Sequence, residues 1–121
     1  MFVTTDEYFF WWPVTVHRPS RVNPGELTEE VLKVEFEALG DDELDKITEE
    51  IAALPTEKER RARQHDVLLR VVRNWAEVED ADKRSVPFTT ERLAAEIRHP
   101  SFRTALYLAY AEATAGARRK N

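Results

Sequence analysis

The stretch that most constrains the fold is EYFFWWPVTV, residues 7–16. Five aromatic residues stand in a row, Tyr8 to Trp12, and Pro13 follows directly. Aromatic and β-branched residues favour strands, so we predict a strand over residues 8–17. Proline has no backbone N–H to donate to a neighbouring strand, so we expect this strand to lie at a sheet edge or to contain a bulge.

Strand geometry divides the aromatic run into two sets, because successive side chains of a strand point to opposite faces. Tyr8, Phe10 and Trp12 share one face, and Phe9 and Trp11 share the other. The remainder of the chain can cover only one face of a hairpin. We therefore expect Phe9 and Trp11 to form an exposed apolar surface, of the kind that marks a binding site for a partner or a second subunit.

A second strand is predicted after the turn-rich residues 17–26. In EEVLKVEFEAL, residues 29–39, apolar side chains alternate with mostly polar ones, and the apolar set is Leu32, Val34, Phe36 and Ala38. Period-two alternation is typical of a half-buried strand. Residues 1–39 are thus predicted to form a β-hairpin with a long loop. An isolated hairpin is marginally stable in water, so it must pack on helices or on another chain.

The apolar period changes to a helical one after Gly40, and residues 41–116 are predicted to form the helical part. Asp41 or Asp42 is the expected N-cap of a helix that Pro55 ends. Thr56 and Glu59 match a capping box, which predicts a second helix over residues 57–76. The apolar positions of these two helices are Leu44, Ile47, Ile51 and Leu54 in the first, and Leu68, Val71, Val72 and Trp75 in the second.

Two further helices are predicted near the end of the chain. A short one begins at about Glu91, with Leu93, Ala94 and Ile97 facing inward, and ends before Pro100. Ser101 is the expected N-cap of the last helix, and Gly116 is the expected residue beyond its end. Its apolar stripe consists of Phe102, Ala105, Leu106, Ala109 and Ala113. Tyr107 and Tyr110 fall on different sides of this helix, so we expect one of them to be exposed.

These elements predict an α+β fold: an N-terminal β-hairpin with a long loop, followed by about four α-helices. A length of 121 residues suits a single domain over residues 1–121, with a basic tail at residues 117–121. We expect Trp75, Phe88 and Leu106 to belong to the structural core, with Phe88 covering Trp75.

The charge pattern disfavours nucleic acids and membranes as partners. The net charge is −5, and residues 1–63 carry 15 acidic and 8 basic side chains, against 8 and 10 in residues 64–121. The aromatic run could stack on single-stranded nucleic acid or enter a membrane surface, but either mode needs basic residues nearby, and residues 1–16 contain none. No apolar run approaches the ~20 residues of a membrane-spanning helix. The chain has no cysteine, which excludes disulfides.

Residues with catalytic or metal-binding potential are scattered. His17, His65 and His99 form no pair at a ligand-like spacing. Asp80 and Asp82 resemble the start of a calcium loop, but the glycine and the distal glutamate of such a loop are absent. The three glycines form no phosphate-binding pattern. We therefore predict no catalytic residue, no cofactor and no metal, and a chain that is not an enzyme.

The order of packing motifs after residue 66 carries a resemblance. Trp75 is followed by the acidic connector VEDAD (78–82), by VPF (86–88), by Leu93 and Pro100, and by ALYLAYAEATAG (105–116) before a basic end. This layout resembles the tail assembly chaperones of long-tailed (siphovirus-type) bacteriophages and prophages. The resemblance covers roughly the whole chain, more loosely before residue 66. It departs at Lys83-Arg84, where relatives often carry a glycine turn.

The resemblance implies a non-enzymatic helper in the bacterial host cytoplasm that is absent from the finished virion. Such a protein binds the phage tape-measure protein and keeps it soluble while the tail tube assembles. The family also implies a homo-oligomer and a longer form of the same chain made by a programmed frameshift. We expect partner and oligomer contacts at Phe9, Trp11 and the basic residues Arg118, Arg119 and Lys120. The alternative is a small structural tail or connector subunit that stays in the particle.

Overall fold

The computed structural model describes residues 1–115 and has a three-stranded antiparallel sheet with four helices in this range. The elements in chain order are β1 (Phe9–Pro19), β2 (Leu27–Glu37), α1 (Asp41–Ala53), α2 (Glu57–Val71), β3 (Val72–Ala76), α3 (Thr90–Glu96) and α4 (Pro100–Thr114). The predicted α+β fold, with an N-terminal hairpin followed by helices, is confirmed. Residues 1–8 precede the sheet and are exposed.

The sheet has the order β1-β2-β3, so β1 and β3 are its two edges. The β1–β2 register runs without interruption from Phe9 opposite Glu37 to Pro19 opposite Leu27. The inward face of this hairpin carries Phe10, Trp12, Val14 and Val16 from β1 and Leu32, Val34 and Phe36 from β2. Helix α4 packs against β1. The placement of Pro13 on an edge strand agrees with its missing N–H.

The core lies between the inward face of the sheet and the helices. Its largest fully buried side chains are Phe36, Leu68, Leu93, Ile97, Leu106, Val14, Val34 and Val71. Helix α1 contributes no fully buried residue and packs through the half-buried Leu44 and Ile47. The predicted stripe of α4 faces this core, since Ala105, Leu106 and Ala109 are all buried.

The predicted helix over residues 57–76 is wrong beyond Val71, where β3 begins. β3 pairs with β2, and the register shifts between Glu35 and Phe36, so that Asn74 lies opposite Glu35 but Val72 lies opposite Phe36. The extra residue, Arg73, forms a β-bulge. Val72 and Trp75 are consequently both buried although they are three residues apart. A bulged strand thus reproduces helical spacing, and this caused the wrong prediction.

Trp75 is held in place by the segment that follows β3. Its indole Nε1 donates a hydrogen bond to the Val86 carbonyl oxygen at 2.8 Å. The rings of Phe88 and Phe102 meet it edge-on, with centroids 5.2 and 6.5 Å away. Trp75 is 6% exposed, so Phe88 covers it as the sequence predicts, but from a strand rather than from a helix.

Two of the predicted helix starts differ from the structure. Gly40 occupies the N-cap of α1, and Asp41 and Asp42 lie in the first turn, where acidic side chains face the positive end of the helix dipole. His99 precedes α4, and Pro100 stands at the first position in place of a Ser101 cap, since proline is preorganised for that position. Thr56 does cap α2, because its Oγ1 accepts from the Glu59 N–H at 3.1 Å. Gly116 lies outside the described residues.

Both tyrosines of α4 are half-buried, so the expectation that one is exposed is wrong. The Tyr107 hydroxyl donates to the Gln64 carbonyl at 2.6 Å, and burial raises the pKa of Tyr107 to about 12. The Tyr110 hydroxyl donates to the Glu37 carbonyl and accepts from the Leu39 N–H, both at 2.9 Å. Burial also raises the pKa of Tyr110. The two hydroxyls join α4 to α2 and to the end of β2.

Candidate protein-binding surface at the edge of the sheet

The outward face of β1 carries the aromatic pair that the sequence singles out. Phe9 is 39% exposed and Trp11 is 47% exposed, whereas Phe10 and Trp12 between them pack on the core. Alternation along the strand sends the two sets to opposite faces. Glu37 and Glu35 stand opposite Phe9 and Trp11 on β2. We call Phe9 and Trp11 the outward aromatic pair.

The bulge residue Arg73 holds one member of this pair. Its guanidinium carbon lies 5.4 Å from the centroid of the Phe9 ring, which is a cation–π distance. Glu37 orients the cation, with its Oε1 at 3.9 Å from Arg73 Nη1 and at 2.7 Å from Arg70 Nη1. The hydrogen bond to Glu37 raises the pKa of the Arg70 guanidinium. Phe9 is therefore fixed in orientation while much of its ring stays accessible.

The backbone of β1 presents a free edge beside these rings. The Ala38 N–H bonds the Tyr8 carbonyl and the Ser20 N–H bonds the Glu26 carbonyl, so even-numbered residues of β1 form the hydrogen-bonded pairs with β2. In an antiparallel ladder the intervening residues point their N–H and C=O groups away from the partner strand. The odd-numbered residues from Phe9 to Pro19 therefore direct their backbone groups outward. In the sheet of residues 1–115, β1 pairs with β2 alone.

Both prolines of β1 stand at outward-directed positions. Pro13 and Pro19 are odd-numbered, so their missing N–H groups remove no hydrogen bond from the β1–β2 ladder. They do remove two donors from the free edge, which limits how another strand can pair there. Phe9, Trp11, Thr15 and His17 retain their outward N–H groups. We call this row of backbone groups the β1 edge.

Helix α4 borders the β1 edge on the inward side of the sheet. A shallow groove of about 260 Å³ lies between them, lined by Thr15 and His17 of β1 and by Ser101, Thr104 and Leu108 of α4 among others. Leu108 is 67% exposed, whereas the other large apolar side chains of α4 are buried or half-buried. The edge therefore has exposed apolar side chains on both sides, the outward aromatic pair on one and Leu108 on the other.

A larger cleft of about 340 Å³ lies near the other end of β1, close to Trp75. Its charged lining is largely paired: Arg18 forms a bidentate contact with Glu30, and Arg92 contacts Glu96 at 3.0 Å. The Asp80 carboxylate, also in the lining, accepts the backbone N–H groups of Asp82 and Arg84 at 2.8 and 3.0 Å. These contacts show that Asp80 stabilises the turn that follows it. Within residues 1–115 no group of three or more acidic or histidine side chains could hold a metal.

The three histidines remain separate. His17 lies in the groove beside α4, and His99 lies in the larger cleft. His65 Nε2 stands 3.3 Å from Arg103 Nη1 on α4. Burial lowers the pKa of His65, and the charge of Arg103 lowers it further. No pair of histidines shares a site in the described part of the chain.

The structure divides the singled-out residues into two groups. Trp75, Phe88 and Leu106 lie in or on the core, and Phe9 and Trp11 lie on the outward face. Arg118, Arg119 and Lys120 lie outside the described residues. Sequence reasoning missed Arg73 and Leu108: Arg73 was assigned to a helix, and an exposed leucine carries no signal of its own. The sequence alone does not show that Pro13 and Pro19 stand at outward-directed positions, because those positions depend on the β1–β2 register.

Comparisons with known proteins return nothing: no family model, no curated protein and no solved structure matches this chain. In the range that the structure describes, no helix is long and apolar enough to cross a membrane.

Proposed function

We propose that this chain is a non-enzymatic assembly chaperone that binds another protein through the outward aromatic pair and the neighbouring β1 edge. The observation that carries the proposal is the exposure of Phe9 and Trp11 on a sheet face that no helix of the described chain covers. Contiguous exposed apolar surface of this kind usually marks a site of protein interaction. The absence of any matched family means that the proposal rests on this surface and on the sequence resemblance.

The resemblance supplies the partner. A tail assembly chaperone in the host cytoplasm would meet the phage tape-measure protein, a long and hydrophobic chain that must stay unaggregated until the tube closes around it. Aromatic side chains flanked by an unpaired strand edge suit such a partner, because the residues of the edge on either side of Pro13 can pair with a short extended segment while the rings take its apolar side chains. The basic residues Arg118 to Lys120 are proposed as a second contact.

The test is co-expression with the tape-measure protein that this proposal predicts to be encoded beside this chain. We expect the two proteins to co-purify and the soluble fraction of the tape-measure protein to rise. The variant with both Phe9→Ser and Trp11→Ser should lose this effect while keeping the circular dichroism spectrum of the native chain. The matched control is Val22→Ser and Leu27→Ser, which replaces two exposed apolar residues near the hairpin turn. Equal rescue by both double variants would contradict the proposal.

A second function, a small structural tail or connector subunit, is favoured by the β1 edge itself. An unpaired strand can extend the sheet of a neighbouring subunit and remain there in the assembled particle. Mass spectrometry of purified virions separates the two functions. A chaperone is absent from the finished particle, whereas a structural subunit is present in a fixed ratio to its neighbours.

A further inference from the structure

We propose that Glu35 makes the proposed binding surface selective for an apolar segment that carries a lysine or an arginine, whose cation the Glu35 carboxylate binds. The inference rests on the proposed function in taking the outward aromatic pair as a binding surface, and it adds the chemistry that the bound segment must have. Exposed aromatic rings alone accept the apolar side chains of many segments. A carboxylate beside them changes which of those segments can bind.

Glu35 lies on the outward face of β2, next to one ring of the outward aromatic pair. Val34 and Phe36 on either side of it are fully buried, so alternation along the strand turns Glu35 outward. Trp11 stands opposite it on β1, and Asn74 stands opposite it on β3. Because even-numbered residues of β1 bond β2, Trp11 and Glu35 form a non-hydrogen-bonded pair, the kind in which the two side chains lie closer together.

Glu35 has no basic partner, in contrast to the charged side chains around it. Lys33 Nζ lies 3.2 Å from Glu77 Oε1. Arg73 Nη1 lies 3.9 Å from Glu37 Oε1. Within residues 1–115 no basic side chain contacts Glu35, although this residue is half-buried. Its carboxylate is therefore a negative charge and a hydrogen-bond acceptor that the described chain leaves unused.

A partner that covers Trp11 also removes water from the Glu35 carboxylate. Burying an ionised carboxylate without a partner is costly, whereas a cation that hydrogen-bonds to it offsets the cost. A purely apolar segment thus binds with a penalty, and an acidic segment is repelled. A segment that brings a lysine or an arginine avoids the penalty. Specificity of this kind comes from an unfavourable contact with the wrong partner as well as from a favourable contact with the right one.

A basic side chain of an extended segment can reach Glu35 from the β1 edge. A segment paired with the edge at Phe9 and Trp11, on one side of Pro13, lies roughly 10 Å from β2, which is two strand spacings. Lysine and arginine can cross this distance, with the apolar stem on the Trp11 ring and the charged head at Glu35. The face of an indole also attracts a cation. The recognised segment is therefore an extended one in which a lysine or an arginine is flanked by apolar residues.

The experiment is a calorimetric titration of the full chain with short capped peptides. They place apolar residues on both sides of a central lysine, glutamine or glutamate. We expect the lysine peptide to bind at least about tenfold more tightly than the glutamine peptide, and its affinity to fall as salt is raised. The glutamate peptide should bind most weakly. Glu35→Gln keeps the size of the side chain and should remove the preference for lysine, and Glu35→Lys should transfer the preference to the glutamate peptide.

The matched control is Glu29→Gln, which removes the same charge from the same face of β2. Glu29 is exposed and stands opposite His17, away from the outward aromatic pair, so this variant should keep the preference for lysine. Circular dichroism on each variant shows that it is folded.

A native chain that binds the three peptides equally, or binds none of them, overturns the proposal. A preference that survives in Glu35→Gln, or that is lost equally in Glu29→Gln, also overturns it. Failure of the proposed function is a separate result: a tape-measure protein that does not co-purify with the native chain contradicts that function, whereas the peptides and the Glu35 variants decide the role of Glu35.

Discussion

The two edges of the sheet are built in opposite ways. β3 is short, bulged at Arg73, and followed by a segment that fastens Trp75 through Val86 and Phe88. β1 is eleven residues long, regular in register, and unpaired on its outer side within the described chain. The contrast shows that the fold occupies one edge with its own groups and restricts the other only at Pro13 and Pro19.

The side chains follow the same division. At β3, the side-chain amide oxygen of Asn74 accepts the backbone N–H of Trp75, so this donor is not free to bond another strand. At β1, the only modification is the placement of Pro13 and Pro19 at outward positions. A strand that had to be protected from all pairing would gain more from charged side chains. The absence of charge from residues 8–17 indicates that contact at this edge is tolerated.

The largest expected effect tests the protected edge. Trp75→Ala removes a 6% exposed indole together with its hydrogen bond to Val86. Truncation of buried aromatic residues costs ~3–5 kcal/mol, and we expect a loss of this size in the free energy of unfolding. Thermal and urea melts measure it. A melting curve that matches the native one would mean that β3 is not fastened by Trp75.

A pair of proline substitutions tests which residues of β1 direct their N–H groups toward β2. Val16→Pro removes an N–H that bonds β2 and should lower the free energy of unfolding by about 2 kcal/mol or more. Thr15→Pro removes an N–H that points away from β2 and should cost clearly less in the isolated chain. Urea titrations at a concentration where the chain is monomeric compare the two. Equal losses would show that the free edge has been assigned to the wrong residues.

Asn74→Ala tests the hydrogen bond between the Asn74 side chain and the Trp75 N–H at the β3 edge. Without the side-chain acceptor the Trp75 N–H has no partner within the edge, and we expect a loss of about 1 kcal/mol. Asn74→Asp keeps an oxygen at the same position and should retain most of the stability. If both variants lose stability equally, the acceptor is not the reason that asparagine stands there.

The smallest expected effect concerns the far end of β1, where Arg18 contacts Glu30. The hydrogen bond from Arg18 lowers the pKa of Glu30, so this pair stabilises the fold above the ordinary pKa of a glutamate and loses that contribution as the pH falls through the lowered value. Both side chains are about half exposed, so Arg18→Gln should cost less than ~0.5 kcal/mol at neutral pH. Urea midpoints of native and variant chains should converge in acid. A difference in urea midpoint that persists in acid would show that Arg18 contributes to stability through packing rather than through its contact with Glu30.

The hairpin was predictable from the sequence because its information is local. Alternation in EEVLKVEFEAL and the aromatic run before it define two strands without reference to the remainder of the chain. The division of Phe9 and Trp11 from Phe10 and Trp12 follows from the same period of two. The candidate surface could therefore be named before the structure was known.

β3 was not predictable by the same means. Leu68, Val71, Val72 and Trp75 have the spacing of one helical face, and residues up to Val71 do form a helix. The change to a strand depends on the open side of β2, which lies far away in sequence. The bulge at Arg73 hides the strand further, because it places Val72 and Trp75 on one face at an interval of three. Only tertiary structure supplies both facts.

The connection between β1 and β2, residues 20–26, is much shorter than the chain between β2 and β3, and this difference has a kinetic consequence. The hairpin closes over residues 20–26, whereas β2–β3 pairing must wait until α1 and α2 have been placed between them. Loop-closure entropy favours the local pairing first, so the hairpin should already be formed in the folding transition state and β3 should join later. Substitutions in the hairpin should then slow folding, and substitutions in β3 should mainly speed unfolding. The β1 edge is therefore formed before β3 joins the sheet. A second chain can meet the β1 edge during that interval.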